Sequence, residues 1–459
     1  MHNFGAKAHH TYQLIRSPQN NPTDERSRRL ILTSLVSFIS KGVSFLVLLV
    51  SVPLTLGYLG STQFGLLNTI TGIFGMLTYS DLGISMGVQN TLPDLVSKGD
   101  DQKVKEIIST AFFFLIGVSF VIAITSFGVI PYFDWTGIFN VKDKVDASLM
   151  FWTVWTSIFV VCIGIPAGLI QRIQSAYQQG YFSETFVTLG NIMSLVALVC
   201  VTQMHLSLAY IVFAMQGVLF LTMVFNFWYF TRFRPIYSAP TWSSFSINTL
   251  KRLITIGLSY LLLTISSVAV GAADNFIIAR YIGVEAVTDY TIGFKLVSIF
   301  YMPVLIISLP FLASYNDAVA RQDIVWVRLT ILKYLKYITL GSMLGGIVLY
   351  FFGNDIIYLW TRHLPYTNIQ LFSFCVLLIY LNINVFISMI ALSPRHINLT
   401  LKIYPVAVLI ALFLKVILIK NWNADFSIIV WPNLIILSLF YFLPISLNVF
   451  KKDFNYKSN

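Results

Sequence analysis

The sequence predicts an all-α polytopic membrane protein: twelve transmembrane helices in two six-helix bundles related by a parallel internal repeat, with both termini cytoplasmic. Three observations carry this expectation. Of the 459 residues, 57% are hydrophobic and only 11% charged, against roughly 25% charged in a soluble domain; a soluble core cannot hide so much apolar surface. The apolar residues come in runs of the ~20 residues that one bilayer crossing needs. With the N-terminus placed inside, 22 Lys and Arg fall on the inner side of the runs and 6 on the outer, the bias that orients helical membrane proteins.

The chain opens on a polar stretch, 1–27, containing His9, His10, Gln13, Asn20, Asn21, Asp24 and Glu25. It has neither the early apolar core nor the small-residue cleavage site of a signal peptide, so it reads as a cytosolic tail. The twelve runs follow at 31–56, 64–89, 109–131, 148–171, 183–203, 206–230, 253–279, 286–313, 329–352, 367–393, 397–419 and 427–450. Gly57–Gln63 is a tight turn between the first two, and Pro394–Arg395–His396 a corner between the tenth and eleventh. Asn191 interrupts the fifth run, and Lys402 and Lys415 interrupt the eleventh; Lys415 is read as snorkelling to the outer surface beside Lys420. The mixed-charge segment Pro93–Ile108 reads as an amphipathic surface helix. Gln171, Arg172, Gln174, Gln178 and Gln179 read as a solvated turn at the inner end of the fourth run, with Glu184 a partner for Arg172. Cys162, Cys200 and Cys375 lie in apolar runs with no framework spacing and read as packing residues.

The chain resembles itself at an offset of 223 residues. Arg28-Arg29-Leu30-Ile31 matches Lys251-Arg252-Leu253-Ile254, Tyr58-Leu59-Gly60 matches Tyr281-Ile282-Gly283, and Lys98, Asp100 and Lys105 match Arg321, Asp323 and Arg328. Six crossings is an even number, so both halves enter the membrane in the same sense. The domain organisation is then a tail (1–27), a bundle (28–230), a cytosolic linker (231–250, with Arg234-Pro235 and Pro240), a second bundle (251–450) and a tail (451–459). Repeats of this kind place substrate sites where they meet.

Of the charged residues within the apolar runs, four stand out: Lys41, Asp81, Asp274 and Lys295. A charge at bilayer depth is costly and marks a functional site by default. At ~1.5 Å rise per residue, Lys41 sits ~16 Å and Lys295 ~14 Å into their helices, near the midplane. The four fall on the first two runs of each half, and none is repeated at the 223-residue offset, which favours a substrate or coupling role over a shared scaffold need. The competing reading is structural: Asp274 paired with Lys295 or Arg280, and Asp81 at the inner surface. The formal net charge of +11 follows from the positive-inside bias rather than from a nucleic-acid surface, since no basic stripe is interleaved with exposed aromatics. No Gly-rich phosphate loop or His/Cys metal spacing is present.

Tyr58-Leu59-Gly60 leading to Phe64-Gly65, followed by Ser80-Asp81-Leu82-Gly83, resembles the first-hairpin signature of Wzx-type polysaccharide flippases. So does Ala273-Asp274-Asn275 leading to Tyr281-Ile282-Gly283, Asp289-Tyr290 and Lys295. These flippases belong to the multidrug/oligosaccharidyl-lipid/polysaccharide (MOP) exporter superfamily. The pattern departs at Gln89-Asn90, where many members have a basic residue, and at Val287-Thr288-Asp289-Tyr290. The resemblance implies a bacterial inner-membrane flippase, not an enzyme. Its substrate would be an oligosaccharide repeat unit on undecaprenyl pyrophosphate, carried to the periplasmic leaflet for O-antigen, lipopolysaccharide or capsule synthesis. A periplasmic polymerase and a chain-length regulator would be partners, the protein a monomer, and no cofactor needed beyond H+ or Na+ antiport. Lys41, Lys295 and Arg280 would then be cavity cations for the anionic head group, and Asp81 and Asp274 coupling acids. The alternatives are a multidrug exporter of the same superfamily, a lipid II flippase with two further helices, and a polysaccharide polymerase or membrane glycosyltransferase.

Overall fold

The computed structural model describes residues 22–233, 239–362, 365–393, 395–422, 425–449 and 451. Most of the N-terminal tail, Arg234-Pro235, Pro394 and the C-terminal tail past Lys451 lie outside the described residues. All regular structure among the described residues is helical. The long elements are α1 (Pro22–Met76), α2 (Ile84–Lys98), α3 (Asp101–Val129), α4 (Ala147–Ala167), α5 (Leu169–Ala176), α6 (Gly180–Gln203), α7 (Leu208–Phe233), α8 (Ile247–Tyr281), α9 (Val284–Ala320), α10 (Ile324–Thr361), α11 (Asn368–Ala391), α12 (Ile397–Trp422) and α13 (Phe426–Val449). Among the described residues, ten helices are long and apolar enough to cross a membrane. Their outward faces carry large apolar side chains, such as Phe120, Ile124 and Phe127 on α3 and Leu340, Leu344 and Phe351 on α10. Such stripes suit hydrocarbon, not water. The chain is a multi-pass membrane protein.

The described chain forms two compact units. The first contains residues up to Ser51, Leu77–Phe133 and Trp152–Leu261; the second contains Val52–Met76, Asp134–Phe151 and Leu262 onward. Each unit draws on sequence from both sides of segment 231–250, and the divisions fall inside α1 and α8. In the first unit, α2 packs on α8 through two glycines four residues apart. A Cβ on Gly83 would lie 2.2 Å from the Gly257 carbonyl oxygen, and one on Gly87 would lie 2.8 Å from that of Leu253. Small residues at this spacing let membrane helices approach closely. In the second unit, Gly65 of α1 meets α9 in the same way, with the Val284 carbonyl oxygen 1.8 Å from where its Cβ would be.

The sequence repeat carries into the backbone. Gly60 and Gly283, 223 residues apart, both have positive φ, 68° and 136°. Gly99 and Gln322 share the same offset and both end a helix in the left-handed region, at φ 68° and 61°. The next residues, Asp100 and Asp323, each cap the following helix by accepting a hydrogen bond from the amide three positions on. Both α7 and α13 contain π-helical turns, Phe213–Gly217 and Asn433–Phe442, which overlap at the same offset.

Two expectations are corrected here. The second run is not one helix: α1 ends at Met76, a 3-10 turn covers Leu77–Tyr79, and α2 begins at Ile84. The Asp81 side chain draws the amides of Gly83 and Ser85 out of helical register, and Leu82 and Gly83 take positive φ. Nor is Pro93–Ile108 a single surface helix. The left-handed Gly99 closes α2 and Asp100 opens α3, so that segment is a helix–turn–helix junction with Val104, Ile107 and Ile108 buried.

Candidate functional site

The break before α2 opens onto a cavity of about 400 Å³ in the first unit. Irregular backbone at membrane depth is tolerated where it lines such a space. Lys41 of α1, Asp81 of the break, Arg172 of α5 and Glu184 of α6 all line it, with Gln171, Ser183, Tyr79 and Phe220 among the remaining walls. Two cations and two acids thus share one cavity. Lys41 is half-buried. Its helix is fixed beside α6 by a polar relay in which Asn191 Nδ2 donates to Ser44 Oγ (2.8 Å) and Ser44 Oγ donates to the Ser40 carbonyl (2.8 Å). Asn191, which interrupts an apolar run in the sequence, is therefore a packing contact.

The acids differ. Asp81 accepts from the Gly83 and Ser85 amides at 3.0 and 3.2 Å, so its carboxylate also holds the start of α2, where the helix dipole favours negative charge. Glu184 Oε2 is buried and has no hydrogen-bond partner among the described residues. Arg172 does not pair with it; its Nη1 donates to Gln89 Oε1 at 2.9 Å. The turn read as solvated is largely internal, with only Gln178 of its five named residues exposed. Gln171 and Arg172 line the cavity, and Gln174 is fully buried and exchanges two hydrogen bonds with Asn226, at 2.8 and 3.3 Å. The short α5 explains the miss. Its buried face, Leu169, Ile170, Ile173 and Ala176, occupies helical spacing among the glutamines, and a four-residue pattern inside a polar stretch is easily read as solvated.

The other sequence candidates lie in the second unit. Lys295 is half-buried with its ammonium 5.1 Å from the centroid of the Phe64 ring, within cation–π range. Asp274 is 2% exposed and forms an ion pair with Lys415, while Tyr290 Oη donates to its second oxygen at 2.9 Å. Neither Lys295 nor Arg280 is its partner. Lys415 is corrected with it: the side chain is fully buried, not at the outer surface. It belongs to the stripe Val408, Ala411, Lys415 and Ile419, all buried, and the run of small and apolar residues at helical spacing was the available signal. Arg280 is exposed at the end of α8, where Nη1 donates to the Gly137 carbonyl at 3.1 Å. Nearby, Lys144 bonds both oxygens of Glu285, and Thr62 donates to the same carboxylate.

The first-unit cavity thus lies on a helix break, in a chain whose halves repeat one another at the turns. Among solved structures the chain is similar to an inward-facing multidrug resistance MATE family transporter of the MOP superfamily, with a TM-score of 0.74 over 90% of this chain and 98% of that one, at 12% identity. The fold is that of the MATE transporters. An outward-facing MATE structure matches with a TM-score of 0.64 at 14% identity, covering 95% of this chain and 98% of that one. A MOP superfamily transporter from Pyrococcus furiosus, described as having a binding pocket of reverse polarity that suggests a different function, matches with a TM-score of 0.61 at 15% identity and the same coverage. No protein-family model and no curated protein sequence matches the chain. At these identities what is shared is the fold.

Proposed function

We propose that this protein is a membrane exporter whose cargo is a lipid-linked oligosaccharide, moved from the cytoplasmic to the periplasmic leaflet of a bacterial inner membrane. The observation that supports this most is the cavity with Lys41 and Arg172 beside a helix break. A pyrophosphate or acidic sugar leaving water needs fixed cations and hydrogen bonds around it, and a prenyl tail can stay in lipid. The resemblance of the Tyr58–Gly83 and Ala273–Lys295 segments to polysaccharide flippases points the same way. In this reading α1 provides two crossings on either side of Gly60, and α9 provides another. These bring the total to twelve, six in 28–230 and six in 251–450, with both ends cytoplasmic.

Lys41 is the principal substrate cation, with Arg172 added to it and Lys295 as a further cation in the second unit. Asp81 and Glu184 are the acids placed to exchange H+ or Na+ with each cycle. Asp274 and Arg280 take structural parts, the first locked to Lys415 and the second holding the 134–151 segment.

A second reading is efflux of organic cations. The solved neighbours described by function are multidrug transporters, and the unpartnered Glu184 oxygen is the group such a cation would seek. Proteoliposomes separate the two. The first reading expects protein-dependent transfer of a fluorescent lipid-linked oligosaccharide between leaflets, lost in Lys41→Ala and Arg172→Ala and unaffected by excess organic cation. Transport of ethidium with no lipid transfer would establish the second reading instead.

A further inference from the structure

A second cavity, of about 520 Å³, lies within the second unit among α9, α10 and α11. Its volume is that of a small-molecule site, and none of the residues discussed above lines it. The walls are apolar and aromatic, including Phe300, Pro303, Tyr334 and Leu378. Tyr334 is held in place by stacking on Phe386, with centroids 5.7 Å apart and planes 5° from parallel. Two polar features break this lining. Lys333 is exposed at one end of the α10 stripe and forms no ion pair among the described residues. Nine residues further along α10, or ~13 Å at helical rise, Ser342 meets Asn382 of α11.

The hydrogen bonds there fix the amide. Ser342 Oγ donates its only proton to the Ile338 carbonyl at 2.6 Å, so it can only accept from Asn382. Asn382 must therefore present Nδ2 to Ser342, at 2.8 Å, which leaves Oδ1 as the free end. Asn382 is 2% exposed, and its Oδ1 has no partner among the described residues. A buried acceptor without a donor is costly and asks for one.

We propose that this cavity is a second ligand site, for a small amphipathic organic anion carrying its own N–H or O–H donor. The anionic group meets Lys333, the apolar body lies against the aromatic wall, and the donor reaches Asn382 Oδ1. The site is distinct from the Lys41 cavity and does not depend on the cargo proposed for it.

The test uses the full chain in lipid nanodiscs and 2-anilinonaphthalene-6-sulfonate, which has a sulfonate and one N–H at opposite ends of a naphthalene, and a second aromatic ring. The expected result is a saturable fluorescence component absent from empty nanodiscs. Its Kd should weaken about tenfold or more in Lys333→Gln and in Asn382→Leu, the usual scale for losing one polar contact to a charged or buried group, and stay unchanged in Lys336→Gln. Gly341→Leu guards against a variant that misfolds. Gly341 lines the cavity and a Cβ there meets nothing within 4 Å, so a larger side chain has room to enter the space. That variant should fold and lose the component. No saturable binding in the wild type, or binding that survives Gly341→Leu, overturns the proposal.

Discussion

Asp274 and Lys415 illustrate how a charge's role depends on what packs around it. With both side chains buried and paired, removing one strands the other. Asp274→Asn or Lys415→Met should each destabilise the protein by about 3 kcal/mol or more, whereas the double replacement Asp274→Leu with Lys415→Met should regain most of that loss. Thermal unfolding of the purified variants measures this, and a double variant no better than the singles would count against a structural pair. Glu285 makes a second residue-level prediction. Burial pushes its carboxyl upward, but Lys144 and Thr62 outweigh that and hold it below the usual glutamate range. A depressed carboxyl stabilises the folded state fully above its ordinary value of ~4.3 and loses that contribution as pH falls through the folded value. The stability gap between wild type and Glu285→Gln should therefore be constant from neutral pH to about 5 and close below about 4. A gap that widened on acidification would contradict the assignment.

Glycines at the helix junctions divide into two kinds, and the division is testable element by element. Gly99 has a left-handed φ but open space around it, so Gly99→Ala should cost only the strain, about 1 kcal/mol. Gly83 combines positive φ with the Gly257 carbonyl 2.2 Å from a would-be Cβ. Gly83→Ala must also push α2 off α8, and should cost distinctly more in the same unfolding assay; equal costs would mean the contact is not tight. Much at this scale was legible in the sequence. The apolar runs located the long helices, because burial in lipid demands ~20 apolar residues whatever their identity, but not their ends: α10 continues to Thr361, past the predicted 352. The 223-residue offset located paired turns. The break at 77–83 was less legible, because Leu77, Tyr79 and Leu82 keep the run apolar and the disruption comes from one side chain, Asp81, bonding its neighbours' amides. Likewise Lys415 is polar in type but buried in position, and only its phase on α12 distinguishes a snorkelling lysine from a paired one.

For the whole molecule, the fold is that of the MATE transporters, and in the proposed function the first-unit cavity carries the chemistry. Of the sequence candidates, Lys41 and Asp81 share that cavity, while Arg172 and Glu184, which read in the sequence as a surface pair, join them. That convergence was invisible in the sequence because it depends on how α5 and α6 pack against α1. The central claim is that the cargo is a lipid-linked oligosaccharide loaded from the cytoplasmic leaflet. It is tested most directly by removing the protein from cells and measuring which leaflet holds the accumulated lipid-linked repeat unit, using a lectin or glycosidase that reaches only the periplasmic side. The account predicts accumulation that the periplasmic probe cannot reach, restored to normal by the wild-type chain but not by Lys41→Ala. Accumulation within the probe's reach, or none at all, would contradict it.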